Sequence, residues 1–67
     1  MKHMLHNTIL DLRTTQGVTQ QELADAVGVS RQTIIAIEKG NYTPSVTLAL
    51  ALATYFDTHV EDIFFYA

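Results

Sequence analysis

Sixty-seven residues, 48% of them apolar, with three glycines and one proline, make one small domain with a modest core, not a disordered tail. Cysteine is absent, which excludes disulfides and thiolate–zinc sites and leaves dimerisation as the expected source of extra stability. The net charge is -3, and neither a basic-then-apolar leader nor a long apolar run occurs, so a cytoplasmic chain without a membrane span is expected.

Met1-Lys2-His3-Met4 reads either as a native start or as a tag ahead of Met4. Helix one is expected over Asn7 to Gln16, with Leu5, Ile9 and Leu12 on its buried side. Gly17, Gly28 and Gly40 each close an apolar-periodic segment, as glycines at helix C-termini do. Thr19 and Glu22 form a capping box for helix two, whose apolar positions are Leu23, Ala24 and Val27. Gly28 supplies the left-handed turn, and Ser30 caps a third helix, Arg31 to Lys39, with Ile34 and Ile37 facing inward. Ala24 is small where the two helices cross.

The loop Asn41-Tyr42-Thr43-Pro44 ends that segment, and Ser45 caps helix four, Val46 to Phe56. Its apolar positions Val46, Leu48, Ala49, Leu52, Ala53 and Phe56 are expected to pack on the preceding helices. Asp57 takes a left-handed position, and Thr58 with Glu61 forms a second capping box for a short fifth helix through Ile63 and Phe64. Phe65 and Tyr66 either pair as a short strand with residues 2 to 5 or cover a dimer seam, and the dimer is favoured.

Two short helices joined by a glycine turn, residues 19–40, are the arrangement that lays a second helix into a DNA groove. VTQQELA at 18–24, VGVSRQTI at 27–34, IEKGNYTPS at 37–45 and VEDIF at 60–64 resemble the Cro/C1-type (lambda-repressor-like, XRE) helix-turn-helix family, in particular its short stand-alone regulators. The resemblance covers residues 8 to 64. It implies an all-α, five-helix lambda-repressor-like domain over 1–67, with motif 20–39 and recognition helix 31–39, and a terminal β-ribbon as one reading of the ends. It further implies a homodimer on an inverted-repeat operator in double-stranded DNA, with that helix in the major groove.

Within such a helix, Arg31 and Gln32 stand where base edges are read: arginine pairs with guanine O6 and N7, glutamine with adenine N6 and N7. Thr33 can reach a base, a phosphate or its own backbone. Ile35 faces away from Ile34 and Ile37 and suits a thymine methyl, or is ordinary surface hydrophobicity. The resemblance gives Gln20 a phosphate at the start of helix two, and makes Lys39, Asn41, Tyr42 and Thr43 a backbone-clamping loop. Ser30 is a cap and a further candidate contact. Lys39 also suits a helix C-terminus without DNA. Relatives often carry lysine where Asn41 stands, and basic residues where Thr8, Thr14 and Thr15 stand. Arg13 and Glu38 match the family's structural ion pair between helices one and three, and Phe65 and Tyr66 are assigned to the dimer interface.

The acids sit away from this face. Asp11, Glu22 and Asp25 precede it, Asp57, Glu61 and Asp62 follow it, and only Glu38 lies between, beside Arg31 and Lys39. The pair His3 and His6 is a poor metal site, and His59 reads as solvated. Tyr55 reads as core or interface, and Asn41-Tyr42-Thr43 as a chance glycosylation sequon. No nucleophile–base set or phosphate-cradling loop is present, so a non-enzyme without cofactor, metal or evident small-molecule ligand is expected. The expected function is a DNA-binding transcriptional repressor. The alternative is an antitoxin or other interaction module on the same fold.

Overall fold

Five helices and a two-stranded ribbon follow one another in the computed structural model, which describes residues 5–66. Their order is β1 (Leu5–Asn7), α1 (Ile9–Gln16), α2 (Gln20–Val27), α3 (Arg31–Glu38), α4 (Val46–Tyr55), α5 (Val60–Ile63) and β2 (Phe64–Tyr66). The all-α architecture is therefore as expected, and the two ends pair antiparallel with Leu5 opposite Tyr66, His6 opposite Phe65 and Asn7 opposite Phe64.

Local chemistry sets most helix boundaries. The Thr19 hydroxyl accepts from the Glu22 N–H at 3.0 Å, and the Thr19 N–H donates to Glu22 Oε1 at 3.0 Å, closing the capping box. Those bonds favour the ionised carboxylate, the Thr19 backbone bond most, and hold Glu22 below the ordinary carboxylate range. Ser30 and Ser45 cap α3 and α4 by accepting from the Thr33 and Leu48 N–H groups. Gly28 ends α2 at φ 78°, with open space where a Cβ would stand, so backbone conformation alone demands the glycine. Asp57 meets the same demand with a side chain, at φ 53°.

The core draws on every helix. Ile9 from α1, Leu23 from α2, Ile34 and Ile37 from α3, Leu52 from α4 and Ile63 from α5 are all fully buried. Ala24, Leu48, Ala53 and Phe56 complete the cluster, and Ala24 brings α2 close against its neighbours. Truncating any one of the large members to alanine costs about 2–5 kcal/mol, a large share of a small domain's stability.

Several boundaries differ from expectation, each for a visible reason. Helix one begins at Ile9, not Asn7, because Asn7 pairs with Phe64 and the Thr8 N–H donates to Ile63 O at 2.9 Å. Leu5 accordingly lies in β1, half-buried. The third and fourth helices stop one residue early, at Glu38 and Tyr55, with Lys39 and Phe56 as their C-caps. Val46 does not join the core and is 77% exposed. It shares the outer stripe of α4 with Leu50, four residues on, while the buried stripe starts at Leu48. The Thr58–Glu61 box does not form: the Thr58 hydroxyl donates to Asp62 Oδ2 at 3.2 Å, and His59 becomes the N-cap without a side-chain bond. The fifth helix then stops at Ile63, and Phe64 turns into β2. Strand pairing of the C-terminus is present, but with Leu5–Asn7; residues 2–4, and with them His3 and the reading of the start, lie outside the described residues. Among the described residues no helix is long and apolar enough to cross a membrane.

Candidate nucleic-acid interface

Successive α-helical residues are about 100° apart around the axis, which puts Arg31, Ile35, Lys39 and Gln32 within one arc of α3 and Ile34 and Ile37 on the opposite side. Arg31, Gln32 and Lys39 are exposed, and among the described residues the side chains of Arg31 and Gln32 make no hydrogen bond. They stand in the first turn of α3, directly after the turn that ends α2. Ile35 lies between them and Lys39. It is half-buried, not fully exposed, and it stands outside the core cluster.

Ser30 and Thr33 are occupied with each other. Ser30 Oγ lies 3.1 Å from Thr33 Oγ1 and 3.2 Å from the Thr33 N–H. Each hydroxyl keeps further hydrogen-bonding capacity, but their first role is to start the helix. Beyond α3, the Asn41 N–H donates to Ala36 O and the Gly40 N–H to Ile37 O, both at 2.9 Å, which ends the helix and turns the chain outward. Asn41, Tyr42 and Thr43 follow in an exposed loop, Tyr42 with 46% of its surface open.

One carboxylate gathers three helices behind this surface. Glu38 Oε2 accepts from Arg13 Nε at 2.8 Å, and Glu38 Oε1 accepts from the same guanidinium at 3.3 Å and from Gln20 Nε2 at 3.0 Å. Arg13 also donates to Val18 O at 3.1 Å. The Arg13 and Glu38 side chains are only 13% and 8% exposed, so solvent screens the pair little. Gln20 is thus tied inward through one amide hydrogen, which leaves the other for a further partner. Sequence reasoning did not find the Gln20–Glu38 bond, since nothing local links positions 18 residues apart.

Phe65 and Tyr66 lie on β2, 42% and 69% exposed. The His6 ring stacks on Phe65 at 5.9 Å between centroids. Tyr55 is partly exposed and packs edge-on against Phe56 at 5.1 Å. Between β1 and the end of α3 lies an open cleft of about 280 Å³, bounded by His6 and Asn7 on one side and by Glu38, Lys39 and Asn41 on the other. Sequence reasoning also missed Asn7, whose amide reaches from this cleft wall to α3. Among the described residues no three metal-capable side chains converge.

Residues 9–63 match the helix-turn-helix family. The chain is 50% identical over 62 residues to an HTH-type transcriptional regulator of Methanocaldococcus jannaschii, covering 92% of this chain and 94% of that one. It is 30% identical over 60 residues to the cryptic phage CTXphi transcriptional repressor RstR of Vibrio cholerae, covering 90% of this chain and 54% of that one. Among solved structures it is similar to the restriction-modification controller protein C.AhdI from Aeromonas hydrophila, with a TM-score of 0.74, 31% identity, and coverage of 81% of this chain and 82% of that one.

Proposed function

Since the chain belongs to the Cro/C1-type helix-turn-helix family of transcriptional regulators, DNA-binding proteins that are not enzymes, we propose that it is a cytoplasmic, homodimeric repressor acting through residues 1–67 as one domain. α3 enters the major groove of an inverted-repeat operator, and bound dimers block a promoter. The observation that carries this reading is the first turn of α3: Arg31 and Gln32 are exposed and, among the described residues, unengaged, next to a partly covered Ile35. Arg31 reads guanine, Gln32 reads adenine, and Ile35 packs on a thymine methyl. Gln20, Ser30, Thr33, Lys39, Asn41, Tyr42 and Thr43 grip the backbone on either side.

Two-fold binding requires two copies of α3 about 34 Å apart, one DNA turn. The exposed Phe65 and Tyr66 are assigned to the seam that sets this spacing. The similarity to a phage repressor supports repression over activation.

Enrichment from a random duplex library at low salt tests the reading, with the Arg31→Ala/Gln32→Ala variant in parallel. The parent should recover an inverted repeat that the variant loses or alters. A folded parent that enriches nothing overturns the reading and turns the search toward a protein partner, as for an antitoxin-like module.

A further inference from the structure

Within the ribbon, the side chain of Asn7 bonds to α3. Its Nδ2 donates to the Ile37 carbonyl at 2.8 Å, across 30 residues of sequence, while its Oδ1 accepts from the Ile9 N–H at 3.2 Å. The orientation of the amide is unambiguous, because the Ile37 oxygen can only accept and the Ile9 nitrogen can only donate. Ile37 O also takes the Gly40 N–H, so both of its lone pairs are used at the point where α3 ends.

Asn7 is itself held by the opposite end of the chain. It pairs with Phe64, and the neighbouring Thr8 donates its N–H to Ile63 O and its hydroxyl to Asp62 O, both at 2.9 Å. A continuous path therefore runs from the exposed aromatic strand β2, through β1, to the C-terminal end of α3. A helix of eight residues is only about 12 Å long, so the pose of its reading face depends on what holds its two ends. The glycine turn and Ser30 hold one. Asn7, together with the Glu38 cluster, holds the other.

From this geometry we infer that Asn7 is a positioning residue for DNA reading: it ties the paired termini to the end of α3 and thereby sets operator selectivity. The inference rests on the proposed role of α3 in DNA.

Asn7→Ser and Asn7→Asp separate the two bonds. Both keep an oxygen for the Ile9 N–H, serine is too short to reach Ile37 O, and aspartate has no donor for it. Two readouts are compared with the parent: amide hydrogen exchange without DNA, and preference for the parent's enriched duplex over a scrambled one. The Lys39, Gly40 and Asn41 amides should exchange faster in both variants while those of Leu52 and Ala53 keep parental rates. Selectivity should fall about three- to tenfold, the range expected for one hydrogen bond, with affinity for scrambled DNA unchanged.

Parental exchange at the end of α3 in both folded variants overturns the tether. Faster exchange with parental selectivity overturns the positioning role. If the parent enriches no duplex, the DNA reading falls, and the exchange data still decide the tether alone. Should both variants unfold, the parent suffices: one Asn7 side-chain amide proton must exchange slowly, and rapid exchange of both overturns the inference.

Discussion

The α2–turn–α3 unit and the paired termini are held by opposite means. In the first, Thr19, Glu22, Gly28 and Ser30 act on neighbours no more than a few residues away, and Leu23, Ala24, Ile34 and Ile37 then lock the two helices over the core. In the second, strands of three residues carry exposed Phe65 and Tyr66, and the bonds that hold them join Thr8 to Asp62 and Asn7 to Ile37. Two-stranded ribbons are marginal alone, so this one exists because the helices bring its ends together. The difference teaches that α3 is built by its neighbours in sequence but held by residues far from it.

Breaking the long-range hold on α3 should have the largest effect. Arg13→Ala leaves Glu38 buried with Gln20 as its remaining side-chain donor and should cost ~3–5 kcal/mol. Calorimetry would show a large drop in melting temperature, and an unchanged midpoint would mean that the pair holds little. A paired comparison of the two regions comes next. Gly28→Ala places a side chain at φ 78° and should cost about 1–2 kcal/mol, whereas Thr8→Val removes an exposed ribbon bond and should cost about 0.5–1.5 kcal/mol. Urea titrations that ranked Thr8→Val above Gly28→Ala would reverse the contrast between a locally encoded motif and a lightly held ribbon.

The smallest expected effect is one of pH. Glu22 has a depressed carboxyl pKa in the folded chain, so its contribution is complete above the ordinary carboxylate value near 4.5 and is lost as pH falls through the depressed one. Glu22→Gln should flatten that part of the acid limb of a thermal-stability profile by lowering stability slightly at neutral pH, where the ionised carboxylate acts, while leaving low-pH stability nearly unchanged. A wild-type slope in the variant would place the proton uptake elsewhere.

What was legible in the sequence follows the same division. The caps at Thr19, Ser30 and Ser45, the turn at Gly28 and the left-handed Asp57 announce themselves because each acts on residues within one turn. The outward arc of Arg31, Gln32 and Ile35 followed from helical spacing once Ile34 and Ile37 were placed inside. Asn7 offered no such signal: it suits a helix start, and only folding reveals that Ile37 O lies within reach. Thr58 failed in the opposite direction. Its spacing to Glu61 fits a capping box, but the Asp62 carboxylate is the nearer partner once α5 is reduced to one turn. Val46 fits an apolar run whose first residue has nothing above it to pack against.

Of the cations on the described residues, Arg13 is neutralised by Glu38, which leaves Arg31 and Lys39, about 12 Å apart along one helix of an acidic protein. With so little charge on this face to exchange for condensed counterions, the proposed grip on DNA of arbitrary sequence should be slight and depend only weakly on salt. Copies of a regulator built this way should linger briefly at each wrong site and not be soaked up by the bulk of the chromosome. On the proposed function, occupancy of the operator should then depend on how many copies the cell makes and how well they pair, more than on the ionic conditions around them.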